Sequence, residues 1–297
     1  MEHNASLDAL AWEQRGTVAR DAGRAAEAEA CFEKALVDGE RPVALLGLAL
    51  SQIDQNRPGE AAENLRKAHL LAPQSGIVRH LLNSLDGETT QQAPESFVTW
   101  LFNSYANRFD NHLTSLGYQG PEMLRQLAER AGWPADATRN IIDLGCGTGL
   151  SGLPFHPYAA TLHGIDLAPR MLDQAHRRGI YSSLHQGEVH AFLKSQPDNS
   201  HDTVIAADTL IYIGDLVELF HQTARVLMPG GSFLFTVEAD KADFSLTKTG
   251  RYSHGDDYLH RCASGLLYHA DQVDGFLRVE AGKFTAGRAY RFVKPAN

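Results

Sequence analysis

From residue 140 onward, short apolar runs alternate with stretches that are apolar on one side only. The runs 140–143, 161–165, 182–186, 203–207 and 232–237 have the length and bounding residues of strands. Between and after them, 170–177, 189–194, 215–226 and 258–263 carry apolar residues at helical spacing. Such alternation predicts a parallel sheet covered by helices on both faces, because a parallel strand needs a crossover to reach its neighbour. The last runs, 276–280 and 289–293, surround a glycine-containing turn and predict an antiparallel finish.

Ahead of this region the period is helical throughout. The first 85 residues repeat at an offset of 33 when residues 21–24 are aligned with 54–57. Glu27 then falls on Glu60, Ala28 on Ala61, Phe32 on Leu65, Lys34 on Lys67 and Ala35 on Ala68. Small residues at 28, 35, 61 and 68 let paired helices approach closely, and Phe32 and Leu65 fill the space between them. With Trp12 and Gly16 ahead of them, the spacing resembles the tetratricopeptide repeat, a helix-turn-helix unit of about 34 residues. Two repeats with a closing helix at 77–85 are expected. They read equally as a concave surface for a peptide or protein partner and as a stabilising helical cap. Residues 86–95 are polar with Gly and Pro and read as a linker. A helix follows from about 94, with Phe97, Leu101, Tyr105 and Phe109 at i+4 and Val98 and Phe102 beside them. A second, at 121–131, carries Met123, Leu124, Leu127 and Ala128 on one side.

Composition narrows the function classes. At 297 residues the chain holds two modest domains or one large one. A formal net charge of -9 argues against a protein that grips nucleic acid by bulk electrostatics. The apolar stretch 43–50 is too short to span a bilayer, and no basic segment followed by an apolar run marks a signal peptide. Cys31, Cys146 and Cys262 are far apart and form no CxxC pair, so neither a zinc knuckle nor a disulfide framework is expected. His254, His260 and His269 do not form an HxxxH pattern, and no metal site is expected. A soluble cytoplasmic protein is the simplest reading.

The candidate chemistry lies where Ile141-Ile142 run into Asp143-Leu144-Gly145-Cys146-Gly147-Thr148-Gly149. Glycines at alternate positions let the backbone turn sharply and approach a ligand closely. Asp143 stands at the end of the first strand and Asp166 at the end of the second, where a carboxylate can accept from both hydroxyls of a ribose. A dinucleotide turn reads GxGxxG; this one reads DxGxGxG. It resembles the signature of class I S-adenosylmethionine-dependent methyltransferases. Further along, Leu167 and Met171 offer apolar surface to an adenine, Gly187-Glu188-Val189 follows the third strand, and Ala206-Ala207-Asp208-Thr209 ends the fourth. Met228-Pro229-Gly230-Gly231 resembles the family's turn before strand five. Members often carry Asp at the position of Glu188, to bond the adenine amino group.

Outside this core, residues 105–113 with Tyr118 and Pro121, and residues 250–254, resemble segments of methyltransferases that carry tetratricopeptide repeats. The resemblance implies an α/β, Rossmann-like fold with a mostly parallel seven-stranded sheet whose last strand is antiparallel. It divides the chain into repeats at 1–85, a linker at 86–95, lid helices at 96–135 and the methyltransferase domain at 136–297. It implies S-adenosylmethionine as cofactor, S-adenosylhomocysteine as product, and Tyr105, Phe109 and His112 at the cofactor's methionine end. Phe109 reads also as core and His112 as an ordinary partly buried histidine. Cofactor contacts are expected from Asp143, Gly145, Cys146, Gly147, Gly149, Asp166, Leu167, Met171, Gly187, Glu188, Val189, Ala207 and Asp208. Asp208, Tyr212, Glu238 and His254 stand near strand exits, and Asp208, Tyr212 and His254 are the candidates for orienting an acceptor or taking its proton. Asp208 reads equally as a helix cap or as packing against the cofactor. The run 206–209 lacks the Asn/Asp-Pro-Pro-aromatic pattern used on exocyclic base amines, so a nucleic-acid substrate is not expected. A small molecule or a protein or peptide side chain remains, with the loop 239–257 shaping the choice. The alternative is a scaffold whose cofactor fold is catalytically idle.

Overall fold

A computed structural model describes residues 2–280 and 282–296, with side chains from residue 7 onward. The chain forms two compact units, residues 1–89 with 247–250, and residues 90–246 with 251–297.

The first unit is helical: α1 (Glu2–Asp21), α2 (Ala25–Ala35), α3 (Pro42–Asp54), α4 (Pro58–Leu71) and α5 (Gly76–Asp86). Pro42 and Pro58 open their helices, where a missing N–H costs nothing. Ser75 caps α5 by accepting from Val78 N at 3.3 Å, and Gly87 ends it in the left-handed conformation. Residues equivalent at the 33-residue offset are buried alike: Ala28 and Ala61, Phe32 and Leu65, Ala35 and Ala68 are all at most 2 % exposed. The Phe32 ring lies against two bare helix backbones. A Cβ at Gly16 would stand 2.8 Å from it and one at Gly47 2.3 Å. Within this unit His80 Nε2 also meets Gly250 O at 2.9 Å.

The second unit begins with α6 (Glu95–Tyr105), α7 (Phe109–Ser115) and α8 (Gly120–Arg130). A three-residue break separates α6 from α7, where the sequence predicts one continuous apolar face. Next come β1 (Arg139–Leu144), β2 (Ala159–Asp166), α9 (Pro169–Arg178), β3 (Ser183–Gln186), α10 (Val189–Ser195) and β4 (His201–Ala206). The unit closes with α11 (Val217–Val226), β5 (Leu227–Asp240), β6 (Phe244–Leu246), β7 (Tyr252–Gly255), α12 (Asp256–Ala263), β8 (Tyr268–Glu280) and β9 (Lys283–Val293). The nine strands form one sheet, with the path β3-β2-β1-β4-β5-β7-β6 and β9 between β5 and β8. β3, β2, β1, β4 and β5 run parallel, and β9 runs antiparallel to β5.

Alternate side chains cover the two faces, as a pleated strand requires. Ile141, Ile205 and Leu234 pack with Leu124 and Leu127 of α8. Ile142, Val204, Phe233 and Phe235 pack with Leu193 of α10 and Phe220 of α11. The Phe220 ring meets Phe233 and Phe235 edge-on, each at 5.5 Å.

Two segments differ from the expectation. Residues 91–93, within the supposed linker, are pinned to the loop after β4. Gly214 N and Asp215 N donate to Gln91 O at 2.8 Å, and Ala93 N donates to Tyr212 O at 2.9 Å. The supposed loop 239–257 holds β6 and β7, so the sheet has nine strands among the described residues, where seven are expected. No helix among the described residues is long and apolar enough to cross a membrane.

Candidate active site

β1 delivers Asp143 and Leu144 into a turn in which Gly145, Gly147 and Gly149 have φ of +63°, +53° and +90°. Most other residues pay about 1–2 kcal/mol for a left-handed conformation. Gly145 meets a second constraint, since a Cβ there would stand 2.4 Å from Thr209 Oγ1. Thr209 is fixed at that place by donating to Leu144 O at 2.6 Å. Gly147 differs. A Cβ there would find its nearest neighbour at 3.9 Å, the Phe109 ring of α7. Its bare backbone therefore faces an open cradle with α7 as the far wall. Cys146 turns away, 3 % exposed and with Sγ against Gly164, so only its backbone belongs to the cradle.

Two carboxylates brace the turn. Asp166 Oδ2 accepts from Gly147 N at 2.9 Å and Oδ1 from Ala168 N at 2.8 Å. Each oxygen keeps a further lone pair. Asp143 is fully buried. Its Oδ2 accepts from Ser151 Oγ and Tyr181 OH, both at 2.7 Å, and its Oδ1 has no partner. Burial pushes the Asp143 carboxyl up to about 7, against the hydrogen bonds from Tyr181 and Ser151. Burial likewise pushes Asp166 up to about 6, against the Ala168 and Gly147 N–H groups.

These shifts tie stability to pH. A carboxyl whose folded pKa is raised contributes stability that is present below its unfolded value, about 4, and lost as pH rises through the folded value. The window here runs from about pH 4 to about pH 7. The cofactor-free protein is expected to lose melting temperature between about pH 4 and about pH 7, and Asp143→Asn to lose distinctly less. Parallel melting curves for the two proteins across that range would remove the assignment.

α6 and α7 bring an aromatic group to the same turn. Phe102 meets Phe109 at 5.9 Å and Tyr105 meets Phe109 at 5.7 Å, both edge-on. His112 is exposed and lies edge-on to Tyr105 at 5.4 Å. Met171 is fully buried with Ala106 and Ala168, packed by Phe102 and Phe109. A polar latch fixes α7 to the turn. Thr148 Oγ1 donates to Asp110 Oδ1 at 2.5 Å, Arg178 Nε donates to Thr148 O at 2.5 Å, and Arg178 Nη2 pairs with Asp110 Oδ2. The sequence reading did not single out Asp110, Thr148 or Arg178 for this role.

After β3, Gly187 N donates to Asp166 O at 3.0 Å. Glu188 caps α10, accepting from Ala191 N at 2.9 Å, and meets His190 Nδ1 at 2.6 Å. Burial raises its carboxyl, but the His190 and Ala191 hydrogen bonds outweigh it and hold Glu188 below the usual range. Val189 is 9 % exposed and packs into the core with Phe192. Leu167, between Asp166 and Ala168, is half-buried.

At the exit of β4, after Ala207, Asp208 adopts φ +54°, a left-handed value that Asp and Asn tolerate better than most residues with a side chain. Its N–H donates to Thr236 Oγ1 at 2.8 Å, and that hydroxyl donates to Asp208 Oδ1 at 3.1 Å. Arg278 of β8, 3 % exposed, grips three carboxylates. Nη1 reaches Asp208 Oδ2 at 2.5 Å, Nε reaches Glu280 Oε1 at 3.1 Å, and Nη2 pairs with Glu238 Oε1. Arg251 donates from Nε to Glu238 at 2.7 Å and from Nη2 to Glu280 at 2.6 Å. Tyr212 lies edge-on to Phe102 at 5.3 Å. Burial pushes its hydroxyl up to about 12 and raises Asp208 against the opposing Arg278 charge.

The structure thus gathers Tyr105, Phe109, Gly145, Gly147 and Asp166 around one cradle, with Asp208 beside it. His254 requires a correction. It is a β7 residue, 1 % exposed, whose Nε2 meets Ile213 O at 2.9 Å and Gly214 O at 3.1 Å. Burial lowers its pKa to about 4. Its Nε2 ties β7 to the loop after β4, and its Nδ1 is buried without a partner. Among the described residues no group of three His, Cys, Asp or Glu side chains is placed to hold a metal ion.

Residues 141–231 match the model of a family described as a methyltransferase domain. The biotin biosynthesis bifunctional protein BioHC of Saccharophagus degradans is 27 % identical over 147 residues, 49 % of this chain and 25 % of that protein. The ubiquinone biosynthesis O-methyltransferase of Xanthomonas oryzae is 30 % identical over 118 residues, 38 % of this chain and 49 % of that protein. Phosphoethanolamine N-methyltransferase 3 of Arabidopsis thaliana is 32 % identical over 103 residues, 33 % of this chain and 21 % of that protein. The chain therefore spans half or less of the length of these three relatives. Among solved structures, a chain of the complex between the Haloferax volcanii Trm112 methyltransferase activator and a methyltransferase superposes with a TM-score of 0.54 at 16 % identity. That superposition covers 67 % of this chain and 98 % of the other. Residues 141–231 of the second unit therefore form a methyltransferase domain of the class I, S-adenosylmethionine-dependent kind.

Proposed function

We propose that this domain is active and that the whole chain transfers a methyl group from S-adenosylmethionine to a small molecule or to a side chain of a peptide or protein. The observation that carries the reading is Gly147, with its bare left-handed backbone open toward Phe109 and its N–H held by Asp166. A Cβ would begin to fill that cradle. When bound, S-adenosylmethionine supplies a methyl group already activated by a positively charged sulfur. The protein's task is then alignment and the exclusion of water, and alignment alone supplies about 7–11 kcal/mol in favourable cases.

Each residue has a part in that task. Gly145 and Gly147 let the cofactor approach bare backbone. Asp166 uses its remaining lone pairs on the ribose hydroxyls, and Leu167 offers apolar surface to the adenine. Phe102, Tyr105 and Phe109 close the methionine end against water. Asp208 and Tyr212 orient the acceptor. The relatives' names include both an O- and an N-methyltransferase, so they leave the acceptor atom open. The helices of the first unit, read as tetratricopeptide repeats on the shared burial of Ala28/Ala61 and Phe32/Leu65, recruit or enclose the substrate.

Calorimetric titration of the full chain with S-adenosylhomocysteine tests the reading. Saturable binding is expected, weakened at least tenfold by Asp166→Ala with little change in circular dichroism. Absence of binding to the wild-type protein would mean an idle fold. A labelled-methyl assay on cell extract, fractionated into small molecules, protein and nucleic acid, then identifies the acceptor class.

A further inference from the structure

The charged group at the ends of β4, β5 and β8 has a composition that discriminates between acceptors. It adjoins the cradle through the segment 207–209, since Thr209 packs on Gly145 and bonds Leu144 O. Three carboxylates, Asp208, Glu238 and Glu280, face two guanidinium groups, Arg251 and Arg278. Nε, Nη1 and Nη2 of Arg278 and Nε and Nη2 of Arg251 all bond carboxylate oxygens. An incoming carboxylate or phosphate competes with three acids for two guanidinium groups and adds negative charge to a group that already holds it in excess, which is unfavourable. An incoming cation meets one formal negative charge in excess, at a group whose Asp208 and Glu238 are mostly shielded from water.

The walls give an independent indication. Tyr212 and Phe102 meet edge-on at 5.3 Å, and Phe102 continues to Phe109 at 5.9 Å. Aromatic rings attract cations through their negative faces. The hydroxyls of Tyr118 and Tyr212 are kept protonated by burial, so they add hydrogen-bonding capacity without charge. We propose that this corner is the acceptor site and that it selects a cationic amine, an ammonium group on an apolar body, over a carboxylate or a phosphate. The inference rests on the reading of the domain as a methyltransferase.

The test uses the full chain in two stages. S-adenosylhomocysteine is first titrated into the free protein, and failure to bind takes down the methyltransferase reading together with this inference. The protein saturated with S-adenosylhomocysteine is then titrated with three probes of similar shape: phenethylamine, 2-phenylethanol and phenylacetate. The amine is expected to bind at least tenfold more tightly than either of the others. Glu280→Gln removes the surplus charge at the most exposed of the three carboxylates. It is expected to erase about tenfold of the amine's advantage over the alcohol, with S-adenosylhomocysteine affinity unchanged. Phenylacetate binding as tightly as the amine overturns the proposal. So does an amine that fails to bind at millimolar concentration, or a preference that Glu280→Gln leaves intact. The wild-type comparison alone decides the charge preference, whatever the stability of the variant.

Discussion

Gly147→Asn is expected to weaken S-adenosylhomocysteine binding at least a hundredfold while the protein stays folded. Two costs that glycine substitutions usually mix are separate at this position. Asn adopts the left-handed conformation more readily than most residues with a side chain, so φ of +53° costs the variant about 1 kcal/mol or less. Nothing stands within 3.9 Å of the new Cβ, so no clash adds to that. The Gly147 N–H bond to Asp166 survives, because it belongs to the backbone. What changes is the cradle, where a carboxamide now occupies space the cofactor needs. A hundredfold loss corresponds to about 2.7 kcal/mol. Gly145→Asn is the contrasting case. Its φ is similar at +63°, but its Cβ would stand 2.4 Å from Thr209 Oγ1. That variant is expected to lose stability as well as binding. Calorimetry for affinity and thermal melting for stability distinguish them. Wild-type affinity in Gly147→Asn would move the cofactor site away from the turn, and equal loss of stability in both variants would reduce the cradle to a packing constraint.

The contrast between these glycines marks how far the sequence could be read. Five strands and the glycine turn were legible because their signals are local: an apolar run, then residues that allow a sharp turn. Asp166 was legible for the same reason, as the acid that ends the second run. β6 and β7 were not. β6 is three residues long and β7 reads Tyr-Ser-His-Gly, and both exist because β5 continues to Asp240 and offers β7 the edge that β4 leaves after Phe235. No local pattern encodes that. The same extension buries His254, which reads as a loop histidine until β7 is known to pair with β5. Arg278 was missed differently. It lies inside the predicted strand 276–280, where a charged residue reads as solvent-facing. Its partners lie 70 and 40 residues earlier, so the available signal was only the recurrence of acids at strand exits, Asp208, Glu238 and Glu280.

Arg278→Met is expected to destabilise the second unit by about 3–5 kcal/mol, the usual cost of removing one partner from a buried ionic group. The side chain is 3 % exposed and each of its three nitrogens serves a different carboxylate. Methionine fills much of the volume but leaves Asp208 and Glu238 beside each other with Arg251 as the remaining cation. Arg278→Lys should recover only part of the loss, since one ammonium cannot reproduce a planar fork that reaches three acids. The pH dependence gives the cause. In the wild type, burial raises the Glu280 carboxyl, but Arg251 and Arg278 outweigh it and hold it below the usual range. Its stabilising contribution is therefore present above its unfolded pKa and is lost as pH falls through the folded value. In the variant the abandoned carboxylates are held above their unfolded values instead, and they destabilise the fold as pH rises. The deficit of Arg278→Met against wild type should thus be smallest near about pH 4 and grow toward about pH 8, as measured by urea denaturation at each pH. A deficit that stays constant across that range would mean that lost packing, rather than unpaired charge, is what the substitution removes.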